Sequence, residues 1–217
     1  MTLRREFLAQ LGGLVAASSL DAGNAGAMAH VQTSEWDMSW VERIAAAKYR
    51  VVFNANVIND GDAIYSAALV LDQFHDVYGS SDQSTCPVIV FRSAGTAMAF
   101  NDSLWARYEI GDQSKVTDPV THAPARRNIF WKAREGATGQ AAESNIVALQ
   151  QRGLICLVCN RAMNGWASEF AERTHQTKDA VYAEVRANLV PGAYVVPSGI
   201  FGLIRAQNAG CAYMPGE

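Results

Sequence analysis

The chain has 217 residues, of which 49% are hydrophobic and 18% are charged, and its formal net charge is −3. This slightly acidic balance, without a basic stripe, excludes the charge pattern of a nucleic-acid-binding protein. Its basic cluster, Arg126-Arg127 and Lys132 to Arg134, is interpreted as a solvated loop. Four cysteines are too few in a chain of this length for a scaffold held together by disulfides.

The amino terminus has the pattern of an export signal. Arg4-Arg5 precede Phe7-Leu8 and a short apolar run, and such an arginine pair is an address for the twin-arginine route. The run is shorter than the roughly 20 residues that span a membrane, so no stable membrane insertion is expected. A processing site of the A-x-A type ends at Ala29. The sequence therefore predicts a signal peptide over residues 1–29 and a periplasmic protein that begins at His30, with cleavage two residues earlier as the alternative.

The rest of the chain is predicted to be a linker and helix over 30–47, followed by one α/β domain over 48–217. About 190 residues provide enough volume for a single core. Short apolar runs predict buried strands, and apolar residues at helical spacing predict helices. The predicted elements are a helix at Trp36–Ala47, a strand at Val51–Phe53, a helix at Asp62–Tyr78, a strand at Val88–Phe91, helices at Thr96–Asn101 and Ile146–Gln151, a strand at Leu154–Val158, helices around Met163–Phe170 and Val181–Leu189, a strand at Tyr194–Val196, a helix around Ile200–Ile204 and a strand at Cys211–Met214.

Five short apolar strands separated by helices are typical of an open, mostly parallel five-stranded sheet with helices on both faces. This is the α/β fold class that we expect. The stretch from Gly111 to Gly139 is polar and too long for an ordinary connection. A lid, an oligomer contact and disorder are three interpretations that its composition leaves open.

Ligands of open parallel sheets bind beyond the carboxyl ends of the strands. The candidate residues there are Cys159 as the catalytic group and Asn56, Ser93, Asn160 and Ser198 as binding groups. Cys159 is the strong nucleophile of this set, and the helix that follows it should favour its thiolate. The alternative is that Cys159 is a small apolar residue of the core.

The other cysteines are interpreted as structural. Three strand steps separate Cys156 from Cys159 by about 10 Å, on opposite faces, whereas a disulfide needs Cα atoms within about 7 Å. Cys156 is therefore predicted to lie in the core rather than in a redox pair. Cys86 starts a strand at the opposite edge of the sheet from Cys159. Cys211 could lie near Cys86, if their strands are neighbours, or serve in an oligomer contact.

Metal and cofactor motifs are missing from the predicted domain. The four histidines are His30, His75, His122 and His175. No two of them have the spacing of metal ligands, such as H-x-x-x-H, so no metal site is predicted from them. A processed amino terminus at His30 would nevertheless offer an α-amine and an imidazole to copper(II). The segment Ser93–Thr96 lacks the glycine pattern and the lysine of nucleotide-binding loops, so no cofactor is predicted.

One segment resembles a known family. Residues Gly153 to Asn160, followed by Ala162-Met163, are similar to the part of DsrE/DsrF-like proteins in which a strand ends in a cysteine before a helix. Cys159 stands at the position of that cysteine. The closing strand, helix and strand of an exported branch of this family look similar to Val190–Ala193, Val195–Ile200, Arg205-Ala206-Gln207, Gly210-Cys211 and Tyr213.

The resemblance implies a five-stranded sheet between helices, a homo-oligomer that is a trimer or a hexamer, and a cysteine that carries sulfur as a persulfide between a donor and an acceptor protein. The function expected is therefore that of a periplasmic sulfur carrier or thiol-handling protein, with Cys159 accepting sulfane sulfur. A non-catalytic, oligomeric ligand-binding protein is the alternative, and copper binding through His30 is a third hypothesis.

Replacement of Arg4 and Arg5 by lysine tests the predicted export route. We expect the doubly substituted precursor to accumulate in the cytoplasm, because the receptor reads the arginine pair. Immunoblots of cytoplasmic and periplasmic fractions measure this, and unchanged export of the variant would contradict the prediction.

Overall fold

A five-stranded, all-parallel sheet organises residues 36–216, the part of the chain that the computed structural model describes. The strand order is β4-β3-β2-β1-β5, and each neighbouring pair is parallel. The sheet is open, with helices around it, so the predicted α/β fold class is confirmed. The strands are β1 (Tyr49–Ala55), β2 (Thr85–Phe91), β3 (Ile155–Cys159), β4 (Tyr194–Val196) and β5 (Ala212–Pro215).

The helices cover both faces of the sheet. They are α1 (Ser39–Ala46), α2 (Asp62–Tyr78), α3 (Asp102–Arg107), α4 (Ile110–Ser114), α5 (Gln140–Glu143), α6 (Ile146–Gln151), α7 (Asn160–Thr174), α8 (Lys178–Ala187) and α9 (Gly199–Asn208). We call the face that packs against α2, α7 and α8 the first face, and the face that packs against α1 and α9 the second face.

Burial explains why the central strands are uninterrupted apolar runs. All seven residues of β2 and all five of β3 are buried, as expected for parallel strands covered on both faces. Side chains alternate between the faces, so that Cys156 joins the core of the first face and Leu157 that of the second. The edge strand β5 is exposed along its whole length.

Most helix boundaries follow local signals. Helix α2 ends at Tyr78, and Gly79 adopts a left-handed conformation (φ 61°) that terminates it. Helix α1 begins at Ser39 instead of Trp36. The helix predicted over Thr96–Asn101 is wrong in type: a 3₁₀ helix occupies Ser93–Ala99, and Asn101 caps the next helix by accepting a hydrogen bond from the Leu104 N–H.

Part of the long polar stretch from Gly111 to Gly139 packs into the core of the first face, which contradicts its interpretation as disordered, while the lid and the oligomer contact stay predictions. Its side chains of Val116, Ala125 and Phe130 are buried. Arg127 forms an ion pair of 2.8 Å with Asp118, which is itself buried. The interpretation of this basic cluster as a solvated loop therefore does not hold for Arg127.

Asn128 attaches this stretch to the rest of the domain. Its side chain is fully buried, and its Nδ2 donates to the carbonyl oxygens of Met98 and Phe100, each at 2.7 Å. Its Oδ1 accepts a hydrogen bond from the N–H of Phe130 at 2.9 Å. One amide thus satisfies three buried backbone groups that belong to two separate segments.

No helix among residues 36–216 is both long enough and apolar enough to cross a membrane.

We expect Asn128→Ala to lower the free energy of unfolding by about 3 kcal/mol, because it leaves buried donors and acceptors without partners. Urea denaturation followed by fluorescence measures the change. Asn208→Ala, at an exposed position at the end of α9, is the control and should stay within about 0.5 kcal/mol of the parent. An equal effect of both substitutions would show that Asn128 does not anchor the stretch.

Candidate functional site

The chain changes direction between β3 and β4, and this change creates the candidate site. Strand β3 continues into α7 on the first face, whereas β4 continues into α9 on the second face. The two connections therefore separate at the carboxyl edge of the sheet. Such a point, where neighbouring strands lead to opposite faces, is where open α/β sheets form ligand crevices.

Cys159 lies at this point. It is the last residue of β3, it pairs with Val196 of β4, and it immediately precedes α7. Its Sγ accepts a hydrogen bond from the Ala162 N–H at 3.4 Å, so that the thiol occupies the N-cap position of α7. A sulfur in this position faces the positive end of the helix dipole. The residue is 6% exposed.

Arg92 is the nearby group that the sequence analysis missed. Phe91 pairs with Val158, so Arg92, the next residue, lies at the level of Cys159 on the neighbouring strand. Its Nε donates to Oδ1 of Asn54 at 2.6 Å. The start of α9 lies so close that a Cβ added to Gly199 would be 2.7 Å from the Arg92 side chain. The signal available in the sequence was a cation directly after a buried strand.

The four predicted binding residues have different roles. Ser198 caps α9 by accepting a hydrogen bond from the Phe201 N–H at 3.1 Å, and Asn160 accepts one from the Tyr182 hydroxyl. Both side chains are thus used in holding helices beside Cys159. Asn56 directly follows β1 at the level of Arg92, and its buried Oδ1 has no hydrogen-bond partner among the described residues.

Ser93 belongs to an open pocket rather than to the β3–β4 crevice. It adopts a left-handed conformation (φ 51°), and its carbonyl oxygen accepts a hydrogen bond from the indole of Trp166 at 3.1 Å. The pocket has a volume of about 650 Å³. Ala162, whose N–H contacts the Cys159 sulfur, also lines this pocket. The thiol and the pocket therefore share one contact residue.

The remaining thiols lie in surroundings that oppose ionisation. Burial raises the pKa of Cys156 to about 12 and that of Cys86 to about 11. The pKa of Cys211 is raised to about 12, first by burial and second by the proximity of Cys86. All four cysteines are free. These three thiols are therefore almost entirely protonated near neutral pH.

Cys86 and Cys211 share the core of the second face, but their strands are not neighbours, since β1 lies between them. Arg50 of β1 pairs with Cys86, and Val51 pairs with Ala212, the residue after Cys211. Two strand spacings separate backbones by roughly 10 Å, which is too far for a disulfide. The strands are therefore not the neighbours that the sequence interpretation required, but the two thiols share one core and Cys86 lies close enough to raise the pKa of Cys211.

Comparison with known protein families and with curated proteins gives no match. A solved structure of a protein of unknown function from Methanobacterium thermoautotrophicum, MTH1491, is 19% identical and matches over 77% of this chain and 98% of that chain. Its TM-score of 0.37 is too low to support any inference about the site. The resemblance to DsrE/DsrF-like proteins stays a prediction.

Residues 36–216 contain no group of three or more His, Cys, Asp or Glu side chains arranged to hold a metal ion. His30, Arg4-Arg5 and the processing site at Ala29 lie outside the described residues. The copper hypothesis and the export signal are thus not addressed by the structure.

Alkylation of the native protein tests whether Cys159 is more reactive than the other three thiols. We expect iodoacetamide at pH 7.5 to label Cys159 before the other three cysteines, because the reagent reacts with thiolate and the three have a raised pKa. Peptide mapping at successive times gives the order. Raising the pH towards 9 should speed the labelling of any accessible raised-pKa thiol.

Prior reduction excludes a masked disulfide, and labelling in urea provides the reference in which all four thiols react. Labelling of Cys156 at the same rate as Cys159 would contradict the prediction that Cys156 is the more deeply buried and less reactive thiol. Protection of Cys159 until unfolding would assign it to the core.

Proposed function

We propose that this protein handles sulfur through Cys159, which accepts a sulfane sulfur and holds it as a persulfide. The observation that carries the proposal is the hydrogen bond from the Ala162 N–H to Sγ at the start of α7. It places a backbone donor and the start of a helix against this thiol at the β3–β4 crevice. The resemblance of Gly153 to Asn160 to DsrE/DsrF-like proteins supports the same chemistry.

The proposed step is a displacement at sulfur. The Cys159 thiolate attacks the terminal sulfur of a polysulfide or persulfide, and a new S–S bond forms on Sγ. The S–S bond of the donor breaks, and its electron pair leaves with the shortened donor, which is released as a thiolate. The sulfane sulfur changes carrier without net oxidation, so no external oxidant is required. Reversal towards an acceptor thiol releases it again.

The surroundings of Cys159 suit a held persulfide. The α7 N–H groups stabilise negative charge on either the thiolate or the terminal sulfur of the persulfide. Arg92 follows β2 at the level of Cys159, and its Nε donates to Asn54 of β1, on the side of β2 away from the thiol. With 6% exposure, the sulfur presents a small surface to solvent, which limits its loss to adventitious thiols.

The proposal includes the periplasm as the compartment, a sulfur donor and an acceptor protein as partners, and a homotrimer or homohexamer as the assembly. These parts rest on the arginine pair at Arg4-Arg5 and on the family resemblance. Exposed apolar side chains along α9, Ile200, Phe201 and Ile204, offer a surface for assembly.

A second candidate function is non-catalytic ligand binding. The pocket of about 650 Å³ beside α7 favours it, because its volume lies in the range of small-molecule sites, about 300 to 1,000 Å³. The two functions differ in their chemistry: a carrier gains a covalent sulfur on Cys159, whereas a binding module gains none.

Incubation of the reduced, exported protein with polysulfide tests the carrier function. We expect intact-mass spectrometry to show a gain of one sulfur atom on Cys159, and we expect Cys159→Ser to prevent it. Cys211→Ala is the matched control, since it removes a buried thiol with a raised pKa and should keep the adduct. Thiosulfate serves as a second donor.

Retention of the adduct in Cys159→Ser would assign the sulfur to another cysteine. A native protein that gains no sulfur from either donor would reject the carrier function and leave ligand binding as the better description. Loss of the adduct on addition of dithiothreitol distinguishes a persulfide from irreversible oxidation.

A further inference from the structure

The pocket beside α7 has three walls. The loops that follow β1 and β2 contribute Val57–Asn59 and Ser93-Ala94, and α4 contributes Gln113 and its neighbour Ser114. The third wall is one stripe of α7, at Ala162, Gly165, Trp166 and Glu169. Because these walls meet at the carboxyl edge of the sheet, the pocket lies where open α/β sheets bind ligands.

Gly165 keeps this pocket open. It lies in the middle of α7, where glycine is a poor helix former. A Cβ added at Gly165 would meet no atom within 4 Å, so packing in the described part of the chain does not demand a glycine there. Any larger side chain at this position would occupy the pocket. The packing of the fold does not require a glycine at this position, whereas space for a ligand in the pocket does.

The charge of the pocket selects its ligand. None of its lining residues among the described part of the chain is a lysine, arginine or histidine, and Glu169 is its charged group. The Oε1 of Glu169 accepts a hydrogen bond from Gln113, and the residue is exposed. Arg173, whose Nη1 donates to Gln113 Oε1 at 3.0 Å, is not part of the lining. Phosphates, carboxylates and sulfur oxyanions are disfavoured by this arrangement.

The apolar part of the lining complements the carboxylate. Val57, Ile58 and Ala94 form one side, and Ala162 with the accessible part of Trp166 forms the other. The Trp166 indole is held in place by its hydrogen bond to the Ser93 carbonyl oxygen. A ligand with a compact apolar body can therefore pack between the walls while a positively charged group reaches Glu169.

We propose that this pocket binds a small organic amine with an apolar body, its ammonium group at Glu169 and its apolar part between Val57 and α7. This site is separate from the thiol of Cys159 and goes beyond the sulfur-carrier function. Binding at the pocket requires no sulfur chemistry, and Cys159→Ser should leave it intact. Failure of the amine site and failure of the carrier function are thus distinguishable.

Titration of the ¹⁵N-labelled exported protein with phenethylamine tests the proposal, and 3-phenylpropionate is the matched anionic probe. We expect phenethylamine to shift the Gly165 amide and the Trp166 indole N–H signals, and 3-phenylpropionate to bind at least about tenfold more weakly. Higher salt should weaken the amine, because its contact with Glu169 is an exposed ion pair.

Two variants locate the site. Gly165→Leu places a side chain over Ala162, since helical leucines point towards the preceding turn, and should weaken phenethylamine by about tenfold or more. Ala183→Leu, at an exposed position of α8 outside the pocket, is its control and should not. Glu169→Gln should abolish the preference for the amine over the anion, whereas Glu172→Gln, an exposed carboxylate of α7 outside this pocket, should retain it.

A circular dichroism melt of each variant confirms folding before titration. Equal binding of the two probes by the parent protein would overturn the proposed charge selection. Unchanged phenethylamine binding by a folded Gly165→Leu variant, or shifts confined to signals away from α7, would overturn the location. No shift with either probe at millimolar concentration would reject the site.

Discussion

The rest of the structure depends on the handedness of its parallel crossovers. Parallel strands joined by a helix form a right-handed connection in about 98% of cases. Successive steps from β1 to β4 run in one direction across the sheet, so their helices cover the first face. The connection from β4 to β5 runs back across the sheet, so α9 covers the second face. The connections that follow β3 and β4 therefore lead to opposite faces of the sheet, and Cys159 lies where they diverge.

The same topology gives four chemically similar thiols different surroundings. Cys156, in the middle of β3, points into the first-face core, while Cys86 and Cys211 lie under the helices of the second face. Desolvation opposes the thiolate at each of these positions, and no helix amino terminus compensates for it. Cys159 differs because a strand ends and a helix begins at the same residue. The Ala162 N–H donates to its sulfur.

The thiol and the pocket are neighbours with different charge preferences. The Ala162 N–H at the start of α7 donates to the Cys159 sulfur, whereas Glu169 is the charged residue of the pocket lining. Ala162 connects them, since its N–H contacts the sulfur and the same residue lines the pocket. Gly165, one turn further along α7, lines the same pocket.

Local signals in the sequence determined most of the secondary structure. The strand at Tyr194–Val196 and the helices at Asp62–Tyr78 and Ile146–Gln151 have the predicted bounds, because apolar spacing, Gly79 and flanking polar residues act over short distances. The position of Cys159 at the end of a strand followed from the same local pattern. The prediction failed for Ser93–Asn101, where a 3₁₀ helix and an asparagine cap replace one short helix.

Tertiary structure alone decided the strand order, the partners of each site residue and the existence of the pocket. The burial of Asn128 was not visible in the sequence, because two of its three partners, Met98 and Phe100, lie 30 and 28 residues away in the chain. Arg92 reaches the level of Cys159 through the pairing of β2 with β3, and Ser198 and Asn160 are engaged by helices that the folded sheet positions. Spacing along a chain specifies which residues share a face of one element, but contacts between elements depend on how those faces pack in three dimensions.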